Sequence, residues 1–161
     1  IAFEKHSVRI FMDFGYASGD ANLNSDHLNG FVLLHRNKRV GLILGRELLG
    51  NYAGDHVGQG SMVAYGNPDS FSGVIYLRPG LRLEWSPSWA SGIELVLAQK
   101  ASAQDGEPKN LGFEIDLGTE HAMYRNFTVG GDLGMLFPGS GLGVSDPHMP
   151  IALRLTAALK F

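Results

Sequence analysis

The last twelve residues, PIALRLTAALKF (Pro150 to Phe161), alternate with a period of two. Ile151, Leu153, Leu155, Ala157, Leu159 and Phe161 fall on one face, and Arg154, Thr156 and Lys160 on the other with Ala152 and Ala158. Successive side chains of an extended chain point to opposite sides, so this period predicts a strand with one apolar face.

The same grammar recurs upstream. From Val74 to Ser86, Ile75, Leu77, Leu81, Leu83 and Trp85 oppose Tyr76, Arg78, Arg82 and Glu84. From Gly92 to Ala101, Ile93, Leu95 and Leu97 oppose Glu94, Ala98 and Lys100. From Leu111 to Gly118, Leu111, Phe113, Ile115 and Leu117 oppose Glu114 and Asp116, and from Phe127 to Phe137 a similar set opposes Thr128, Gly130, Asp132 and Gly134. Near the start, Val8, Ile10, Met12, Phe14 and Tyr16 oppose Arg9, Phe11, Asp13 and Gly15. Six strands of roughly 8–13 residues are predicted, about the length that a tilted strand needs to cross a bilayer, ~9–11 residues.

Composition narrows the class. The 161 residues suit one domain, with 13 Lys+Arg against 16 Asp+Glu, a balance that gives no basic surface for nucleic acid. Absence of cysteine excludes disulfides, thiolate metal sites and cysteine nucleophiles. Charged residues are 18%, Gly is 22 of 161, and no apolar run reaches the length of a membrane helix. What remains is an all-β chain, and an antiparallel transmembrane barrel fits the composition. The first residue is Ile1, which leads us to expect a processed or partial chain.

The two faces point the same way. The polar face carries Arg9, Asp13, Arg78, Arg82, Glu84, Glu94, Lys100, Glu114, Asp116, Asp132, Arg154 and Lys160. Six cations and six anions on strands that cross lipid must face a lumen, and their balance argues against strong ion selectivity. Small polar-face residues (Gly80, Gly92, Ala98, Gly112, Gly118, Gly130, Gly134) either leave a wide lumen or let large neighbours pack across them. Tyr16, Trp85, Trp89, Phe127, Phe137 and Phe161 lie at strand ends, as amphipathic rings do at membrane interfaces. Connections alternate in length: Ser86-Pro87-Ser88 is tight, 101–110 longer, 119–126 moderate and 137–150 long.

Residues 18–72 are expected to form a long extracellular loop region of one barrel unit spanning 1–161. Alternatively, Phe31–Arg36 and Arg39–Arg46 add two strands and make eight; Val40, Ile43, Leu44 and Leu48 also fit helical spacing. Asp20, Asn22, Asn24 and Asp26 alternate like half a calcium loop, but Ser25 stands where Gly is needed and Phe31 where the bidentate Glu belongs. The six histidines are dispersed, and no HExxH, GxSxG, GxGxxG or P-loop occurs. No catalytic residue, metal or cofactor is therefore expected, and an outer-membrane hydrolase is the least favoured reading.

Leu155-Thr156-Ala157-Ala158-Leu159-Lys160-Phe161 resembles the C-terminal signal of bacterial outer-membrane proteins. That resemblance implies that the barrel-assembly machinery reads the final strand. Phe14-Gly15-Tyr16-Ala17-Ser18-Gly19-Asp20, Val40-Gly41-Leu42-Ile43-Leu44, Tyr76-Leu77-Arg78-Pro79 and Leu136-Phe137-Pro138-Gly139 together resemble the C-terminal part of large barrels of the alginate-export type. The resemblance implies a Gram-negative outer-membrane location, lipid and further barrel strands or envelope proteins as partners, and passage of polar solutes without chemistry. A structural barrel anchoring an envelope complex is the alternative.

Overall fold

The computed structural model describes residues 2–5, 7–17, 40–44, 74–101, 103, 106, 108–142 and 148–160. These form one all-β sheet of antiparallel strands: β1 (Ala2–Lys5), β2 (Val8–Ala17), β3 (Val74–Ser86), β4 (Trp89–Lys100), β5 (Asn110–Tyr124), β6 (Phe127–Pro138) and β7 (Ile151–Leu159). Their spatial order is their chain order, β1 to β7, so the sheet is a pure meander with β1 and β7 at its edges. Among the described residues it is not closed on itself.

All six strands expected from alternation are present. β1 is additional: four residues are too few to establish a period. β5 also runs further than its alternation suggests, to Tyr124, so the link to β6 is only Arg125-Asn126. Pro87-Ser88 likewise joins β3 to β4. These two-residue turns and the β1–β2 junction lie at one end of the sheet. The strand ends that the longer connections 18–73, 101–109 and 139–150 join lie at the other.

The register pairs apolar residues with apolar residues across the sheet. One row runs Ile10, Leu81, Ile93, Leu117, Leu133, Leu153. The opposite face pairs Asp13 with Arg78 and Asp132 with Arg154. The apolar face lies largely exposed: Ile10, Phe14, Ile93, Leu153 and Leu155 all lack cover.

What core there is sits behind the polar face, at the long-connection end. Val74, Tyr76, Val96, Ala98, Leu111 and Leu136 pack there with Val40, Ile43 and Leu44. Leu111 departs from its alternation, which would place it beside Phe113. The register slips where Ala98 pairs Gly112 and Gln99 pairs Asn110, inserting one residue. Gly112 takes a φ of 103°, open to glycine, and Leu111 is buried in the core instead.

Residues 40–44 are not a strand. They rest against the polar face of β5, which removes the eight-strand alternative over the described part of Arg39–Arg46. Phe31–Arg36, most of the 18–72 loop region, the calcium-like Asp20, Asn22, Asn24 and Asp26, and Phe161 lie outside the described residues.

Candidate functional site

The sheet curls around its polar face to form an open cavity of about 830 Å³, lined from Arg9 on β2 to Thr156 on β7. Of the twelve charged residues assigned to this face, Arg9, Asp13, Arg78, Arg82, Glu94, Asp116, Asp132 and Arg154 line the cavity. Glu84 is exposed near the tight turns, and Lys160 is exposed just past the end of β7. Lys100 and Glu114 are buried away from the cavity, under the core.

The cavity wall is cross-braced. Arg78 reaches Asp13 at 3.3 Å on one side and Glu94 at 3.5 Å on the other, tying β2, β3 and β4. Tyr76 donates to the same Asp13 oxygen at 3.3 Å. Arg154 grips Asp132 Oδ2 through Nε at 2.9 Å and a terminal nitrogen at 2.8 Å. Arg82 pairs with Glu120, two strands away. Glu120 escapes a reading of alternation that ends β5 at Gly118; a longer β5 puts it in phase with Glu114 and Asp116.

Glycines make this bracing possible. Gly92 faces Arg82, and Gly118 and Asp132 face each other across the ladder. A Cβ on Gly118 would come within 2.8 Å of Asp132 Oδ1. Phe11 and Tyr76 lie directly over Gly80 and Gly15, their register partners. Here the glycines let large neighbours lie flat across the wall.

The second feature is a latch. Glu114 is fully buried and accepts three successive main-chain N–H groups: Leu42 at 2.6 Å, Ile43 at 2.7 Å and Leu44 at 2.7 Å. Leu42 N–H is shared with Asp116 Oδ2 at 3.1 Å. The turn depends on Gly41, with φ 80°, where a Cβ would stand 2.5 Å from Glu114 Oε2. Alternation alone marked Glu114 and Asp116 as lumen charges. It carried no sign that a distant loop would return to cap them.

Trp85, Trp89 and Phe127 flank the tight turns, while Tyr16 and Phe137 flank the long connections. Trp89 donates to Thr119 Oγ1 at 2.9 Å and meets His121 edge-on, and Phe137 stacks on Phe113 at 4.5 Å. Among the described residues, no three His, Asp or Glu side chains converge where a cation could be held. Comparison of the chain with family models, curated proteins and solved structures finds no match.

Proposed function

We propose that these strands form part of the wall of a transmembrane β-barrel in a bacterial outer membrane, and that its polar interior passes polar solutes without chemistry. The observation that carries this reading is the inversion of the sheet. Large apolar side chains are exposed along one face from β2 to β7, while ion pairs and the only described core lie behind the other. A soluble sheet buries its apolar face. An apolar face without protein cover is stable against lipid.

Dimensions and ends support the same reading. The apolar face of β6 runs from Phe127 to Phe137, about 33 Å at roughly 3.3 Å per residue. A tilt of about 40° turns that into about 25 Å of height, the usual apolar band of such barrels. Tight turns at one end and long connections at the other match the two sides of an outer membrane.

A structural barrel is the second reading. It is favoured by residues 40–44, which occupy part of the polar interior, and by the braces across the wall. The deciding measurement is conductance after reconstitution of the full-length protein into planar bilayers. Steady open channels hold the transport reading, and insertion without conductance replaces it with the structural one.

A further inference from the structure

We infer that a notch in the apolar face of β4, β5 and β6 holds the phosphodiester headgroup of one glycerophospholipid, in the leaflet on the tight-turn side. The inference rests on the membrane reading above and adds to it one lipid at one place.

The first ground is a break in the apolar face. One row of register partners runs Leu83, Ser91, Thr119, Gly131, Leu155. By alternation these residues share the face of Ile93, Leu117 and Leu133, one step nearer the tight turns. Leucine stands at both ends of the row, with two hydroxyls and a glycine between. The break is three strands wide, about 10 Å at roughly 4.8 Å per strand. Gly131 leaves open space here: an added Cβ would meet only Leu155 Cδ2, at 3.6 Å. Gly80 and Gly118 differ, since Phe11 and Asp132 already fill the space over them.

The second ground is the polar groups turned into this space. Trp89 and His121 are partners one row nearer the turns, with their rings edge-on. Trp89 donates its N–H back to Thr119 Oγ1 at 2.9 Å, so the polar edge of the indole faces the notch. Ser91 Oγ lies 3.1 Å from Thr119 Oγ1, which also reaches Ala90 O at 3.3 Å. A single bond to Thr119 leaves Ser91 with unused hydrogen-bonding capacity. His121 is exposed, and neither of its ring nitrogens has a hydrogen-bond partner among the described residues. An imidazole facing hydrocarbon without a partner is costly, so the notch calls for a polar occupant from the lipid side.

The third ground is charge. By alternation every Asp, Glu, Lys and Arg of β2 to β7 lies on the polar face, whereas His121 lies on the apolar one. Arg125 follows in the tight turn to β6, exposed and without an ion-pair partner among the described residues. A phosphodiester supplies oxygens that accept from an imidazole N–H, a serine hydroxyl and a guanidinium. Its acyl chains would then follow Ile93, Leu117 and Leu133 toward mid-membrane, with Trp89 at the interface where indoles are favoured. A second copy packed here by its own apolar face would bring no anion, because that face carries none.

The test uses the full-length protein in dodecyl maltoside micelles, which contain no phosphate. A phosphatidylglycerol is added that carries a diazirine either beside its ester or at its acyl-chain end. Irradiation is followed by peptide mapping. The near-ester probe should concentrate its adducts on 89–93, 117–121 and 129–133. Unlabelled dioleoylphosphatidylglycerol should displace it, whereas dioleoylglycerol, which lacks the phosphate, and glycerol 3-phosphate, which lacks the chains, should not. His121→Leu should lower notch labelling about tenfold, the loss expected for one hydrogen bond to a charged group. Gly131→Leu should lower it at least as far by filling the space, and touches no hydrogen-bonding side chain. Thr156→Val, on the polar face, should leave it unchanged. The two notch variants are independent, so one that fails to fold leaves the other. Equal displacement by dioleoylglycerol or by glycerol 3-phosphate would overturn the inference, as would full labelling in both notch variants. Labelling of Leu83 and Leu155 with the notch left bare would overturn it too, and would put a protein partner there. The chain-end probe reports the membrane reading separately. No adducts from it on Ile93, Leu117 or Leu133 would remove that reading, whereas adducts there beside an evenly spread near-ester probe would remove only the lipid site.

Discussion

Replacing Glu114 by Ala removes the acceptor of three main-chain N–H groups at once, two of them in buried bonds. Leu42 keeps Asp116 at 3.1 Å, but Ile43 and Leu44 have no other acceptor within the latch. A buried donor left unpaired costs about 1–3 kcal/mol, so two such donors weaken docking of residues 40–44 by about 2–6 kcal/mol. Against that stands burial of Val40, Ile43 and Leu44, at about 1.5–3 kcal/mol each. The segment should therefore stay seated most of the time but open far more often, at least about thirtyfold.

The sheet itself should survive, because the strand ladders do not run through residues 40–44. Two measurements on protein folded in detergent micelles check this. The first is the chymotryptic cleavage rate after Leu42 and Leu44, read by mass spectrometry. The second is far-ultraviolet circular dichroism, which should not change. Glu94→Ala is the control: it removes one arm of a partly exposed ion pair, worth about 0–1 kcal/mol, and should leave cleavage near the wild-type rate. Equal rates in the two variants would refute the latch, as would loss of the β signal in Glu114→Ala at a temperature where Glu94→Ala is intact.

Gly41→Ala should loosen the same segment by about 1–2 kcal/mol through left-handed backbone strain alone, and by more through the contact with Glu114. Gly106→Ala, at φ 87° with nothing within 4 Å of the new Cβ, should show only the strain, so cleavage after Leu44 should separate the two. Leu117→Arg should cost about 2–4 kcal/mol if that face meets lipid, whereas Thr156→Arg, beside the cavity, should be mild; urea unfolding of the micelle-folded protein compares them. Ala98, which alternation marks as an equally tolerant polar-face position, is packed in the core and should not accept Arg. Deleting Phe161 should reduce insertion in cells far more than refolding into detergent, measured by fractionation beside a heat-modifiability gel. Normal insertion would detach the chain's last residue from any assembly role.

Period two is a strong signal where both faces differ in kind, which is why β2 to β7 could be located from residues alone. Their two faces were legible for the same reason. Where the signal failed, a local event had reset the phase or length. Leu111 changed sides at a bulge, which needs Gly112 in a conformation that only the register makes necessary. Glu120 falls in 119–126, which alternation leaves as a connection after Gly118, yet β5 runs on through Gly118, a flat site beneath Asp132. The latch was least legible of all. Its bonds join residues at least seventy positions apart, and one partner is main chain, which has no sequence signature.

The polar face makes sense once its small residues are placed between its large ones. A guanidinium on β3 can reach Glu120 on β5 only because Gly92 and Ala90 stand on the strand between. Asp132 leans over Gly118 while holding Arg154 on its other side, and Tyr76 covers Gly15 while reaching Asp13. Each glycine forfeits packing of its own and gives up β propensity. In exchange, the charged groups find partners within the wall rather than in the cavity it borders. Twelve charges on one face therefore do not amount to twelve ligand contacts. Arg9 has no ion-pair partner among the described residues, and Asp116 is held only at the edge of the latch. A solute entering this cavity would meet a wall that is charged in composition and nearly neutral in effect. Under the transport reading proposed above, such a wall would pass polar molecules without selecting ions.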